Sequence, residues 1–372
     1  MTMDQNTMAQ FGTLIQRLIN REDLTRPEAY AAFSAILLDR QPELQQGALL
    51  AALTAKGETA GEIAGAWSAI DEHDTVHAAG PLPELMVENS GTGMDCLKTF
   101  NVSSAAAIVA AAGGAVLARH GARALSSRCG TVDILEAVGV GVDGSVAQAA
   151  ASIRSVGIGL FNGMSAQVHP GGLGRILGRI RFGSTLNIAA SLANPARPTH
   201  AVRGVHCAAQ VPRVAAVLRE IGYRRALVAC GSADGHAGGM DELSVCGPTL
   251  VCEIDEHGER EHMLTPEACG VARHPYAAVA ALDSPAADVG RFLAVLAGRG
   301  PAACRDFVCL NAGAVLHIAG RSATIGDGVA RSRDLLASGA ALAKLRDWVA
   351  VQNDDPAAGT ACFDNALRNV KH

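Results

Sequence analysis

A glycine-rich run between an apolar stretch and an alanine-rich segment constrains the fold of this chain most. Residues 89–104 read Asn-Ser-Gly-Thr-Gly-Met-Asp-Cys-Leu-Lys-Thr-Phe-Asn-Val-Ser-Ser. Small residues let the backbone close around a polyanion, and the helix start that follows offers free N–H groups and a positive dipole end. A tight turn after a strand is the competing interpretation. Carboxylate, amide and hydroxyl groups at short spacing favour a phosphate or metal site, and they belong to Asp95, Asn101, Ser103 and Ser104.

Size and charge exclude several classes of protein. A chain of 372 residues can bury a large core and predicts two domains, or one large domain with a small one attached. The formal net charge of −5 gives no electrostatic basis for binding nucleic acid or an anionic membrane. The apolar run at 105–118 is too short to span a bilayer, and the polar residues 1–10 do not resemble a signal peptide. We therefore expect a cytoplasmic protein that does not bind membranes.

The ten cysteines predict buried thiols. They are scattered, with no Cys-x-x-Cys pair that would indicate a metal site or a redox motif. In a cytoplasmic protein such residues act as small hydrophobic side chains.

Hydrophobic periodicity predicts a helical start followed by an α/β domain. Apolar residues at helical spacing, a capping box at Thr25 and Glu28, and two more periodic segments at 45–54 and 60–70 make the first 75 residues helical. Beyond the prolines near residue 82, expected strands at 85–88, 134–140, 225–230 and 249–254 alternate with expected helices at 105–117, 288–297 and 327–338. This alternation favours a mainly parallel sheet, with phosphate loops at the carboxyl ends of its strands. Residues 353–372 are expected to form a polar, frayed tail.

Two further segments carry groups suited to phosphate and metal. The loop 119–133 contains three arginines and several hydroxyl groups, which offer charge-assisted donors to phosphate oxygens, although a solvated surface loop is the alternative. Asp241 and Glu242 are hard oxygen ligands suited to Mg²⁺ with phosphate partners, although an isolated acidic pair commonly does no more than face solvent.

The order of these motifs resembles the anthranilate phosphoribosyltransferase family over nearly the whole chain. Gly-Thr-Gly-x-Asp with Thr-Phe-Asn-Val-Ser is followed by His-Gly-x-Arg-Ala-x-Ser-Ser, His-Pro, Asn-Pro-Ala and Asp-Glu-Leu-Ser. The resemblance implies a small helical domain at 1–80, completed by about 165–200, and a larger α/β domain at 81–352 with a mostly parallel sheet, as in nucleoside phosphorylases and phosphoribosyltransferases. It also implies a homodimer formed through the helical domain.

The resemblance further implies Mg²⁺-dependent transfer of ribose 5-phosphate from phosphoribosyl diphosphate (PRPP) to the amine of anthranilate, with release of pyrophosphate, as in tryptophan biosynthesis. Two Mg²⁺ ions are expected with PRPP. The metal ligands carried over are Ser103, Asp241 and Glu242. The residues expected at PRPP are Gly91, Thr92, Gly93, Asp95, Thr99, Asn101, Ser103, Ser104, Arg119, Ser127 and Thr131. The residues expected at the acceptor are His120, Ala122, His169 and Arg179.

Several departures from the family pattern bear on which acceptor the protein uses. Arg119 replaces the family's lysine, Ala122 replaces its asparagine, and Met94 and Cys96 replace glycines in the diphosphate loop. The segment after His169 is about two residues shorter than usual. The acceptor arginine therefore maps to Arg179, with Arg181 or Arg175 as alternatives, and residues 234–239 lengthen the loop before the acidic pair.

Three other functions are alternatives to this one. A paralogous phosphoribosyltransferase would use another aromatic acid. A non-catalytic relative would bind nucleic acid, but that function requires a basic face. A pyrimidine nucleoside phosphorylase is disfavoured by the Thr-Phe-Asn and Asp-Glu-Leu-Ser strings.

Overall fold

The computed structural model describes residues 5–93, 96–123 and 129–369. The chain forms two compact units. The first, here called the helical unit, comprises Met1–His77, Gly163–Arg197 and Ala216–Gly222. The second, the sheet unit, comprises Ala78–Asn162, Pro198–Ala215 and Tyr223–His372.

The described residues form fifteen α-helices, seven strands and two short 3-10 helices. The helices are α1 (Gln5–Ile19), α2 (Arg26–Leu37), α3 (Glu43–Lys56), α4 (Ala60–His73), α5 (Val102–Ala112), α6 (Thr131–Ala137), α7 (Val146–Val156), α8 (Gly172–Ile180), α9 (Thr185–Leu192), α10 (Gln210–Glu220), α11 (Pro285–Leu296), α12 (Ala302–Ile318), α13 (Ile325–Ala337), α14 (Ala340–Val351) and α15 (Pro356–Asn369). The strands are β1 (Val87–Ser90), β2 (Leu117–Gly121), β3 (Ile158–Asn162), β4 (His200–Gly204), β5 (Arg225–Gly231), β6 (Thr249–Asp255) and β7 (Gly258–Leu264). The 3-10 helices are Glu267–Cys269 and Tyr276–Ala278.

The helical start of the chain is confirmed, with helices α1 to α4 where periodicity predicts them. The capping box at Thr25 and Glu28 opens α2, and a second box at Thr59 and Glu62 opens α4. Each box satisfies N–H groups that the first helical turn would leave without acceptors.

The mostly parallel sheet is also confirmed. Its strand order is β3-β2-β1-β4-β5-β6-β7, in which the first five strands run parallel and β6 and β7 are antiparallel. Helices α5 and α12 are almost entirely buried and pack against each other and the sheet. Because β1, β2, β4 and β5 are parallel, the loops that leave their carboxyl ends share one edge of the sheet.

Several local predictions are wrong. The helix expected at 105–117 ends at Ala112, because Gly113 and Gly114 interrupt it, and Leu117 opens β2. The strand expected at 134–140 is instead α6, where Asp133 accepts from the Gly130 N–H and completes a helix start.

The carboxyl-terminal segment also differs from expectation. Where the sequence predicts a frayed tail, residues 356–369 form α15, which buries the Phe363 ring against the core of the sheet unit. No helix in the described part of the chain is both long and apolar enough to cross a membrane.

Candidate phosphate and metal site

The loop after β1 already holds an anion, the carboxylate of Asp241. The Gly93 N–H donates to Asp241 Oδ2 at 2.6 Å, and Thr92 Oγ1 donates to the same oxygen at 3.3 Å. A Cβ at position 91 would collide with this carboxylate, so only glycine allows the approach. Three residues predicted to bind PRPP therefore meet a predicted metal ligand that lies about 150 positions downstream.

The strands β4 and β5 bring the acidic pair to this loop. A side chain at Gly204, the last residue of β4, would overlap the backbone of Asp241, and one at Gly231 would crowd the Glu242 carbonyl. From α12, the Asn311 side chain accepts from the Leu243 N–H at 3.0 Å and donates to the Leu243 carbonyl at 2.9 Å. Asn311 thus fixes the segment that carries both carboxylates.

One small cavity brings the three predicted metal ligands together. Its lining includes Ser103, Asp241 and Glu242 together with Asn89 and Asn311. A hydroxyl and two carboxylates form a hard oxygen donor set, which fits Mg²⁺. Within the described residues, no group of three or more His, Cys, Asp or Glu side chains could hold a metal alone. A site of this kind is suited to an ion whose remaining ligands come from phosphate and water.

Two buried side chains fix the first turn of α5. The Ser103 carbonyl accepts from Asn89 Nδ2 at 2.8 Å and from Arg119 Nη1 at 2.7 Å. Arg119 is only 1 % exposed, and burial lowers the pKa of its guanidinium to about 10 despite the nearby Glu88 carboxylate. Arg119, which is predicted to contact PRPP, is thus hydrogen-bonded to the backbone carbonyl of Ser103, a predicted metal ligand.

The other residues predicted at PRPP lie around the same edge of the sheet. Thr99 bridges to Ala280, and Ser104 is buried in the first turn of α5. Asn101 Nδ2 donates to the Cys129 carbonyl at 3.2 Å, just before α6 begins at Thr131. Asp95 and Ser127 lie outside the described residues, as do Met94 and Arg128.

The predicted acceptor residues divide between the two units. In the sheet unit, His120 is buried on β2 and Ala122 follows that strand. In the helical unit, His169 Nδ1 donates to the Asp74 carbonyl at 2.7 Å. Burial lowers the pKa of His169, so its ring is neutral near pH 7.

The three candidate arginines for the acceptor carboxylate have partners inside the helical unit. Arg179 forms an ion pair with Glu43 of α3. Arg175 donates to Gln46 and to the Ile36 carbonyl. Arg181 donates to the carbonyl of Gly178, one turn earlier. That Arg179 binds the acceptor carboxylate, as the residue count from His169 suggests, stays a prediction.

Cysteine burial follows the prediction in part. Cys96 and Cys362 are exposed, Cys129 and Cys207 are half-buried, and the other six are buried. Burial raises the pKa of several thiols well above their ordinary value, to about 12 for Cys309. These buried thiols are protonated at neutral pH.

Sequence reasoning missed Asn89 and Asn311 as residues that shape the site. Both are buried amides, Asn89 near the end of β1 and Asn311 within α12. A buried amide needs hydrogen-bond partners, so a single Asn in an apolar helix is a signal that could have found Asn311.

Family models match both parts of the chain. A glycosyl transferase family a/b domain model matches residues 84–342, and a glycosyl transferase family helical bundle domain model matches residues 13–74. An anthranilate phosphoribosyltransferase of Anaeromyxobacter dehalogenans is 39 % identical over 344 residues, covering 90 % of this chain and 97 % of the relative.

Solved structures share the fold. The crystal structure of anthranilate phosphoribosyltransferase from Thermus thermophilus has a TM-score of 0.81 and 31 % identity, and the match covers 91 % of this chain and 99 % of that one. The Saccharomyces cerevisiae enzyme in complex with PRPP and Mg has a TM-score of 0.79, with 99 % and 100 % of the two chains covered. At 20 % identity, this second likeness shows the fold alone.

The mostly parallel sheet, the helical unit and the matched models define the class of protein as a glycosyltransferase that transfers a pentosyl group. Full-length relatives above 30 % identity narrow that class. The chain belongs to the anthranilate phosphoribosyltransferase family.

Proposed function

We propose that this enzyme transfers ribose 5-phosphate from PRPP to the amine of anthranilate, releasing pyrophosphate and forming N-(5-phosphoribosyl)anthranilate for tryptophan biosynthesis. The observation that carries the proposal is the carboxylate of Asp241 inside the loop 91–93, beside a cavity lined by Ser103 and Glu242. A loop that binds a carboxylate through a backbone N–H and a hydroxyl group has the chemistry to bind a diphosphate.

The chain's own residues perform the positioning. We expect the diphosphate to accept the Gly93 N–H that Asp241 accepts in this structure, which leaves the Asp241 carboxylate to the metal. Ser103, Asp241 and Glu242 would hold Mg²⁺, and we propose two ions with PRPP. When bound, Mg²⁺ supplies positive charge to the leaving pyrophosphate. The Gly93 N–H would stabilise the same developing charge. The aromatic amine is already nucleophilic, so holding it near C1 of the ribose is the main requirement.

A different aromatic acid is the second candidate acceptor. Ala122 offers no side-chain amide, which favours a paralogue whose acceptor differs from anthranilate in its polar groups. A non-catalytic relative that binds nucleic acid is the other alternative, and the net charge of −5 argues against it. We further propose that the enzyme is a homodimer formed through the helical unit and acts in the cytoplasm.

The test is pyrophosphate release from PRPP with Mg²⁺ and a panel of aromatic acids that includes anthranilate and amino- and hydroxybenzoates. We expect turnover with one of them. Binding of PRPP without pyrophosphate release from any acid would refute the transferase. The double variant Asp241→Asn, Glu242→Gln should lose Mg²⁺-dependent turnover, whereas Asp255→Asn, at the end of β6, should retain it. Undiminished activity in the double variant would refute the metal assignment.

A further inference from the structure

Lys98 forms a hydrogen bond to the loop 91–93. Its Nζ donates to the Gly93 carbonyl at 2.9 Å, and the N–H of the same Gly93 donates to Asp241. The ammonium group therefore holds the residue that makes the shortest contact with the bound carboxylate. It also adds a positive charge to the loop that binds the carboxylate, and this charge attracts an anion that enters the loop.

The backbone of Lys98 is itself fixed from a distant part of the chain. Its carbonyl accepts from Tyr276 Oη at 2.8 Å and from the Ala281 N–H at 3.0 Å. The next residue, Thr99, bridges to Ala280. The segment 276–281 thus anchors the base of the loop that Lys98 closes, so the position of the ammonium group depends on Tyr276.

The loop 234–239 contacts Tyr276 through His236. The rings of His236 and Tyr276 meet edge to face, with centroids 5.0 Å apart. Arg273 anchors the start of this loop through Asp234 at 2.7 Å. At its end, Gly238 lies so close to Cys96 that an added Cβ would be 3.1 Å from the Cys96 Cβ. The loop 234–239 therefore contacts both Tyr276 and the segment that contains Lys98.

Building on the proposed function, on which this role depends, we propose that Lys98 is a positioning residue for the diphosphate of PRPP, held in place by Tyr276 and the loop 234–239. A loop rich in glycine has many accessible conformations, and binding must restrict them. A bond from Lys98 to Gly93 restricts them before the ligand arrives, which lowers the entropic cost of binding. The loop 234–239 then contributes to the site, because its contacts help to fix the diphosphate end.

Isothermal titration of the full-length enzyme with pyrophosphate and Mg²⁺ tests this role without turnover. Lys98→Met should weaken binding about tenfold or more, since it removes a charged hydrogen bond. Lys98→Arg should restore part of the affinity. Tyr276→Phe keeps the ring against His236 and removes one hydrogen bond to Lys98, so we expect about a threefold loss of pyrophosphate affinity.

The matched control is Tyr30→Phe, because the Tyr30 hydroxyl donates to Glu72 in the helical unit. Its affinity should equal that of the wild type.

Steady-state kinetics separate positioning from a general loss of structure. For Lys98→Met we expect a raised KM for PRPP, an unchanged KM for the aromatic acid and an unchanged melting temperature. Equal rises in both KM values with a lower melting temperature would overturn the inference. If the wild type binds pyrophosphate and both Lys98→Met and Tyr276→Phe bind it equally well, the inference fails while the proposed function stands. If the wild type binds neither pyrophosphate nor PRPP, the proposed function and this inference fail together.

Discussion

At the scale of single residues, the chain uses one carboxylate to hold its anion site in shape. Asp241 accepts from two donors of the loop 91–93 and is only 5 % exposed. A buried carboxylate needs such donors, because an unpaired one would carry a large desolvation penalty. The same donors suit a phosphate, so the loop is already built for an anion.

Gly91→Ala tests how closely this loop must approach Asp241. The added methyl group would overlap the carboxylate, so the loop or the acid must move. We expect the KM for PRPP to rise by at least about tenfold, because small displacements of positioning groups cost affinity and rate.

The matched control is Gly47→Ala in α3, where an added Cβ meets no atom within 4 Å. It should leave the KM unchanged and stabilise the protein by about 0.5–1 kcal/mol through helix propensity. An unchanged KM for PRPP in Gly91→Ala would show that the loop does not face the diphosphate.

At the scale of elements, α12 fixes the acidic segment through Asn311. Its amide satisfies the Leu243 N–H and carbonyl and also donates to the Phe307 carbonyl at 3.0 Å. Asn311→Leu would leave the buried Leu243 N–H without its acceptor, which costs about 2–3 kcal/mol of unfolding free energy. Because Asp241 and Glu242 precede Leu243, the affinity for Mg²⁺ with pyrophosphate should fall as well. Urea unfolding and calorimetric titration measure the two effects.

Ser332→Ala provides the comparison for Asn311→Leu. The Ser332 hydroxyl is fully buried and donates to the Gly328 carbonyl within α13. Its loss should cost about 1 kcal/mol or less, because that carbonyl lies within the helix. Ligand affinity should not change. Equal losses of affinity in both variants would mean that Asn311 acts only through global stability.

What the sequence predicts well is local. The capping box at Thr25 and the loop between β1 and α5 depend on neighbours a few residues apart, and the structure contains both. The strand predicted at 134–140 is wrong because a short apolar run fits a strand and a buried helix equally well. In the structure, Asp133 caps the start of α6, and the segment becomes helical.

For the site residues, too, the sequence predicts local features but not long-range contacts. The order of motifs identifies Asp241 as chemically important, but its contact with Gly93 spans 148 positions. Arg119 matches a family position, yet its hydrogen bond to the Ser103 carbonyl joins β2 to α5 across 16 positions. Asn311 sits in an apolar helix, and only the fold reveals its partner Leu243, 68 positions away. Long-range contacts of this kind leave no periodic trace in one sequence.

At the scale of the whole molecule, the helical unit exposes apolar side chains that a second subunit could cover. Leu44 is 88 % exposed, Ile19 60 % and Phe182 41 %. Exposed large apolar side chains are candidates for an association surface, and a two-fold dimer would use the same surface on both chains. We therefore expect a dimer in solution.

Leu44→Glu should convert that dimer to a monomer, because two-fold symmetry places the new charge in the interface twice. Light scattering coupled to size-exclusion chromatography measures the mass directly. Met263→Glu is the matched control, since Met263 is 56 % exposed on β7 of the sheet unit. It should remain dimeric.

Monomeric Leu44→Glu should still bind pyrophosphate with Mg²⁺, because the residues proposed to bind it all belong to the sheet unit. These residues are the loop 91–93, Lys98, Asp241 and Glu242. A dimer that survives Leu44→Glu would place the interface elsewhere on the chain.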